Sequence, residues 1–304
     1  LVVIVVLGGV LLYSAQSRQA RQQLDKELLT IAQLKANQIS QWRAERLSHA
    51  AVLSGNVLFS SFAQDYLDSP TAAERARILD YFAALSQHYR YSDIALLDTE
   101  GRPRIRLKRN APALPPDTYD YVREASIDRR APLHGDLHQF ADEESPHIDV
   151  IAPIFEKANQ QGKPIGAVWL QVNPESFLYP LLQSWPTPST TAETLLVRRD
   201  GDDVLYLNDL RHAAGSAMKL RRPVAEQSLP AAMAISGKQG IVDGRDHRGI
   251  EVIAALQPVE NTPWHLIAKI DRDEAMATAR TLRAFIIALG IGALVATTGL
   301  FAFI

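Results

Sequence analysis

Apolar and polar positions follow three different rhythms along this chain. From Ser17 to Ser54 the rhythm is helical. Leu24, Leu28, Ile31, Ile39, Trp42, Ala50 and Leu53 fall near one stripe, with charge between them and no proline to interrupt the run. This predicts one long helix whose stripe must be buried on its own domain, on a second copy of the chain, or on both. A second helix is predicted over Thr71–His88, opening after Asp68-Ser69-Pro70 with Glu74 in its first turn.

Past residue 90 the period changes to two. "DIALLDTEGRPRIRL" (Asp93–Leu107) is an apolar run, a charged turn around a glycine, and a second apolar run, which predicts a hairpin. "ETLLVRRDGDDVLYL" (Glu193–Leu207) repeats the pattern a hundred residues later. Between them come a proline-rich loop, "NAPALPPD", a short helix near Tyr119–Ser126, and a strand in "PLHGDLHQF". Strands in "HIDVIAPIFEK" and "PIGAVWLQVN" follow, then a short helix in "PESFLYPLLQSW" and the linker "PTPST". After the second hairpin come a short helix in "AEQSLPAAMAISG", three strands, and the start of a last helix. Asp149-Val150-Ile151-Ala152 is echoed by Glu251-Val252-Ile253-Ala254. The expected fold is α+β: a long N-terminal helix carrying two tandem five-stranded antiparallel sheet modules.

The third rhythm is unbroken apolarity at the ends. "AFIIALGIGALVATTGLFAFI" (Ala284–Ile304) carries no charge over a length that matches a bilayer core. Leu1–Leu12 is equally apolar but shorter. It reads as the remainder of a first span, with a signal-peptide core as the alternative. The expected boundaries are 1–13 for the first span, 14–90 for the long helix and second helix, 91–188 and 189–283 for the two sheet modules, and 284–304 for the second span. Two spans place the middle region on one side of a bacterial inner membrane. The periplasmic side is the expected one, although Arg18, Arg21, Arg280 and Arg283 flank the spans there, against the usual bias.

Composition narrows the chemistry. A net charge of −2 gives no global basic field, so no nucleic-acid partner is expected. With no cysteine, disulfides, thiolate metal sites and cysteine nucleophiles are excluded. There is no G-x-S-x-G pattern, and Gly162-Lys163 lacks the spacing of a phosphate loop. No catalytic residue and no cofactor is assigned, and this segment is not read as an enzyme.

Three stretches carry a family resemblance: "ANQISQWRAERLSHAAVLS", "APIFEKANQQGKPIGAVWLQVN" and "YPLLQSWPTPSTTAETLLVRRDG". Together with the membrane–helix–double-sheet–membrane order, they resemble the double-CACHE (dCACHE, tandem PAS-like) extracytoplasmic sensor domain over Ser14–Ala279. Such domains belong to bacterial histidine kinases, GGDEF diguanylate cyclases and chemoreceptors. The resemblance implies a small molecule bound in the membrane-distal first module and a signal passed through the helices to a cytoplasmic output. The arginine–tryptophan–tyrosine pattern and strand aspartate of the amino-acid-binding members are not found here, so an amino-acid ligand is not supported. A homodimer through the long helix is expected. The alternative is a constitutive dimerisation or structural module of the envelope with no small ligand.

Candidate contacts follow from strand alternation. "RIRLKR" sets Arg104, Arg106 and Lys108 on one face; Arg106 suits bidentate capture of a carboxylate, and a solvent-facing basic strand edge is the other reading. Tyr119, Tyr121 and Arg123 lie in a lid-like segment, for which closing over a ligand and simply packing the loop are both open readings. In "HGDLHQFADEESPHIDV", alternation puts His134, Asp136 and His138 on one face and His147 with Asp149 on another. Solvent-facing side chains, a polar ligand pocket and a divalent-metal site are the readings open for that cluster. The expected ligand-binding set is Arg106, Tyr119, Tyr121, Arg123, Asp136, His138 and Asp149, with no residue assigned to metal.

Overall fold

The computed structural model describes residues 2–110, 113–114, 118–139, 145–277, 288 and 291–292. Helix α1 (Val2–Ser54) is the long helix. Its buried positions Leu28, Ile31, Ala32, Ala36, Ile39, Trp42, Ala50 and Leu53 recur at three- and four-residue steps or their multiples, as one buried stripe requires. One cation sits in that stripe. Lys35 Nζ donates to the carbonyls of Leu182 and Ser184 and to Thr194 Oγ1, the first at 3.2 Å and the last at 2.9 Å. Burial lowers its pKa to about 8. Helix α2 (Val57–Asp68) restarts on the Asn56 cap. Helix α3 (Ala72–Tyr89) opens on a reciprocal cap: the Glu74 N–H donates to Thr71 Oγ1 at 3.2 Å, and that hydroxyl donates to the Glu74 carboxylate at 2.8 Å.

The chain divides into two compact units, residues 38–181 and residues 1–37 with 182–304. In the first, β1 (Tyr91–Leu97), β2 (Pro103–Arg106), β3 (Leu133–His138), β4 (His147–Phe155) and β5 (Pro164–Val172) form an antiparallel sheet in the order β2-β1-β5-β4-β3. Helix α3 packs on β1 and β2. Helix α4 (Thr118–Arg123) runs into a π-helical turn ending at Asp128, and the two lie over β4 and β5. Beneath them Ala95, Leu97, Val122, Ala125, Leu133, Ile151, Ala167 and Trp169 form one apolar core. Helix α5 (Leu178–Gln183) follows β5.

The other unit holds β6 (Glu193–Asp200), β7 (Asp203–Tyr206), β8 (Arg221–Pro223), β9 (Gly240–Arg245), β10 (Glu251–Pro258) and β11 (Trp264–Asp271), ordered β8-β7-β6-β11-β10-β9. Helix α6 (Pro230–Ile235) supplies Ala231, Ala232 and Ala234 to its core, and α7 (Arg272–Ala275) follows the last strand. Without β8, the order is that of the first sheet strand for strand, so the sequence repeat is a structural repeat. Both hairpin turns place a glycine at positive φ, Gly101 at 73° and Gly201 at 63°.

The second sheet has six strands, where five were expected. The extra strand, Arg221-Arg222-Pro223, has no apolar alternation to announce it. It pairs only with β7 at the sheet edge, where a proline needs no outward ladder bond. Among the described residues no helix is long and apolar enough to cross a membrane. The two expected spans fall largely outside the described residues: the side chains of 1–7, 9, 10 and 12, and all of 284–304 except 288, 291 and 292.

Candidate functional site

The first hairpin builds a basic groove. Its turn lies against the start of α4, where an ideal Cβ on Gly101 would sit 3.0 Å from the Tyr119 Cα. This open groove, about 620 Å³, is lined by Arg75 of α3, by Arg102, Arg104, Arg106, Lys108 and Arg109, and by Thr118 and Tyr119; Glu100 is its one acidic lining residue. Arg102 is partly neutralised by Asp98 at 3.2 Å and Glu100 at 2.7 Å, and Arg104 lies 3.7 Å from Asp98. Burial would raise the Asp98 carboxyl, but hydrogen bonds from Arg102 and Glu100 hold it below its ordinary value. Arg106 is anchored more firmly. Its Nε donates to Asp93 Oδ2 at 2.6 Å, and its guanidinium carbon lies 5.3 Å from the centre of the Trp169 ring. Asp93 has no exposed surface and also accepts from the Ile94 and Lys108 amides, at 2.8 and 3.1 Å.

The sheet face beneath α4 changes character along its length. The apolar core occupies one part. Strand register then brings Asp93 and Asp149 each opposite Gln171, and His138 opposite His147. His138 Nε2 lies 3.6 Å from Asp149 Oδ2, and His147 Nε2 lies 3.6 Å from Asp149 Oδ1. The two imidazoles meet edge to face with centroids 4.2 Å apart. Burial first, then the neighbouring His138 and Arg106, lower the His147 pKa to about 3, so this ring is neutral.

Simple alternation would have kept His134, Asp136 and His138 on one face, but the structure separates them. A register shift between His134 and Leu137 lets β3 change its pairing within one bulge. His138 joins His147 and Asp149 on the α4 side. His134 pairs opposite Val150 and meets Trp42 of α1 edge to face, with ring centres 6.3 Å apart. Burial, and then Arg43, push His134 down to about 3. Asp136 acts on Arg43 of α1, opposing the burial that lowers the arginine to about 10.

The expected ligand-binding set therefore divides. Arg106 and Tyr119 line the groove. Tyr121 packs against the apolar core, and Arg123 is exposed on α4. His138 and Asp149 converge on the inner face, and Asp136 faces α1. Alternation alone missed Asp93, the acid that holds Arg106, although a lone carboxylate in an apolar strand was a readable signal. Arg75 was missed because nothing in the sequence ties α3 to the hairpin.

The second unit fills the matching place with charge. Lys269 is 1% exposed, and its Nζ lies 2.7 Å from Glu193 and 2.8 Å from Asp246. Arg248 closes the network on Asp246 at 2.7 Å and Asp271 at 2.5 Å. Two groups among the described residues bring three metal-type donor atoms within 4.8 Å of one another: His138, His147 and Asp149, and Glu193, Asp246 and His247.

The family model described as Cache domain matches residues 15–279. No curated protein matches the chain. Among solved structures, the domain of a sensory box/GGDEF family protein from Vibrio parahaemolyticus aligns with a TM-score of 0.57 at 18% identity, covering 84% of this chain and 99% of that one. The ligand-binding domain of the Pseudomonas fluorescens chemoreceptor CtaA, solved with L-isoleucine, gives 0.54 at 18% identity over 86% and 98% of the two chains. That of the Pseudomonas aeruginosa PAO1 amino acid chemoreceptor PctC, solved with GABA, gives 0.52 at 18% identity over 82% and 100%. At this identity the likeness is one of fold.

Proposed function

Because the chain belongs to the Cache domain family, we propose that it is the extracytoplasmic sensing region of a transmembrane signalling protein and that it binds a small carboxylate in the unit of residues 38–181. The observation that carries the ligand class is the groove along β2, where six cationic side chains face one acidic one. A guanidinium fork matches a carboxylate in shape and charge. L-isoleucine and GABA, the ligands of two structural relatives, both carry a carboxylate. In the second unit the Lys269 network fills the inner sheet face with paired charge, which supports a structural role for that unit.

Transmission rests on α1, which contributes residues to both units. A ligand shifts an equilibrium only as far as it binds one state better than the other. The proposed receptor is a homodimer through α1, anchored in the bacterial inner membrane by 1–13 and 284–304, with a histidine kinase or diguanylate cyclase as its output.

Calorimetric titration and thermal shift of the full chain in detergent test the reading, against a panel of mono- and dicarboxylates. A carboxylate at a hundred times its Kd adds about 2.7 kcal/mol of stability. Arg104→Ala and Lys108→Ala, both on the groove lining, are expected to weaken binding about tenfold each, or ~1.4 kcal/mol. Silence across the panel, or binding indifferent to both substitutions, rejects the groove as the ligand site.

A further inference from the structure

We propose that His138, His147 and Asp149 bind a divalent transition-metal ion of the zinc type. The site is separate from the carboxylate groove, since none of the three residues lines it. The first support is the spacing. Each histidine Nε2 lies 3.6 Å from a different oxygen of one carboxylate. That is too long for a hydrogen bond. With one Asp149 oxygen as ligand, the nearer histidine stands close to the separation of about 3.3–3.6 Å that two donors adopt around a tetrahedral ion bound at about 2.0–2.2 Å. All three donor atoms fall within 4.8 Å of one another.

Orientation is the second support. A ligating imidazole uses its other ring nitrogen to bond a backbone or carboxylate oxygen, which fixes the tautomer. His138 Nδ1 makes that bond to the Asp136 carbonyl at 3.0 Å, which places the proton on Nδ1 and leaves Nε2 as the donor atom 3.6 Å from Asp149. His147 is held by a hydrogen bond with the Ser145 backbone. Two cross-strand histidines thus present Nε2 to one buried aspartate, with both rings fixed from behind. Neutral imidazole and carboxylate together suit zinc, nickel, cobalt or iron(II) better than magnesium or calcium.

The third support is the contrast with the other candidate group. Between Glu193 and Asp246 the cation position is taken by the Lys269 ammonium, at 2.7 and 2.8 Å. The β3 bulge makes the first group possible, because it rotates His138 onto the face of His147 and Asp149. Three protein donors leave a tetrahedral ion one open position, for water or for a donor atom of another molecule.

The test is direct binding to the full chain, freed of metal by a chelator and then moved to chelator-free buffer. Cobalt(II) is titrated while its visible d–d absorption is followed, and zinc is then added in competition. One cobalt per chain is expected, with an absorption band that zinc bleaches. His138→Ala alters the most exposed of the three ligands and is expected to abolish the band while leaving the circular-dichroism melt near that of the parent. His138→Gln keeps the bulk of the side chain and serves in parallel, and Asp149→Asn is expected to weaken binding tenfold or more. A parent chain that takes up no cobalt, or a folded His138 variant that binds it unchanged, overturns the proposal. Arg104→Ala is expected to keep the cobalt band, so loss of carboxylate binding and loss of metal binding are read separately.

Discussion

Lys269 keeps a charged side chain almost wholly out of water, between Glu193 and Asp246. Such an arrangement holds only while every charge is answered, since one deleted partner leaves another buried and unpaired. Lys269→Met is therefore expected to cost about 3–5 kcal/mol in denaturant unfolding. Glu193→Gln combined with Lys269→Met should cost less than Lys269→Met alone, because the carboxylate left behind is gone. The same network sets an acid limit. Burial pushes the Asp246 carboxyl up, but hydrogen bonds from Arg248 and Lys269 win and lower it to about 2. The folded pKa lies below the unfolded one, so this contribution is full above about pH 4 and is lost as pH falls toward 2. Unfolding measured between pH 5 and 2 should steepen in the parent and flatten in Asp246→Asn.

The hairpins were legible because each element carries its own local signal: a period-two run, a charged turn, and a glycine that the turn holds at positive φ. The cap at Thr71 was equally legible, since its hydroxyl accepts from the Glu74 N–H and donates to the Glu74 carboxylate three residues on. The bulge at 134–137 was not. Alternation assumes an unbroken pleat, and one extra residue transfers everything beyond it to the other face. This is why Asp136 and His138, two residues apart, serve opposite sides of the sheet. The groove was half legible: its arginines stand in one run, but Arg75 reaches it through tertiary packing. Strand β5 carries a subtler requirement. An ideal Cβ on Gly166 would stand 2.2 Å from the Leu97 carbonyl oxygen of the neighbouring strand. Backbone must move to admit it, so Gly166→Ala is expected to destabilise by ~2–3 kcal/mol. Chemical denaturation measures this, and Gly201→Asn, at an open positive-φ turn, should cost under about 1 kcal/mol.

At the scale of the molecule, the family resemblance read over Ser14–Ala279 is borne out by the match over 15–279, while the anchoring rests on the sequence alone. Residues 284–304 carry no charge. As a helix, 21 residues rise about 30 Å, the thickness of a bilayer's hydrocarbon core. A charged side chain at its centre would cost about 2.5–3.5 kcal/mol on insertion scales. If this segment anchors the chain, the full protein stays in the membrane pellet through alkaline carbonate, and truncation to residues 14–283 releases it with the unfolding transition of both sheet units intact. Ile291→Arg with Ala293→Arg places two charges mid-segment and should shift part of the full chain to the supernatant. A truncated protein that remains in the pellet would place the membrane contact elsewhere, and α1, with Leu34 and Val52 exposed at 56% and 73%, would be the next segment to truncate. Release on truncation would instead leave those exposed residues to the dimer. Sedimentation of residues 14–283 then decides that question: the exposed Leu34 and Val52 of α1 predict a dimer, weakened by Leu34→Asp.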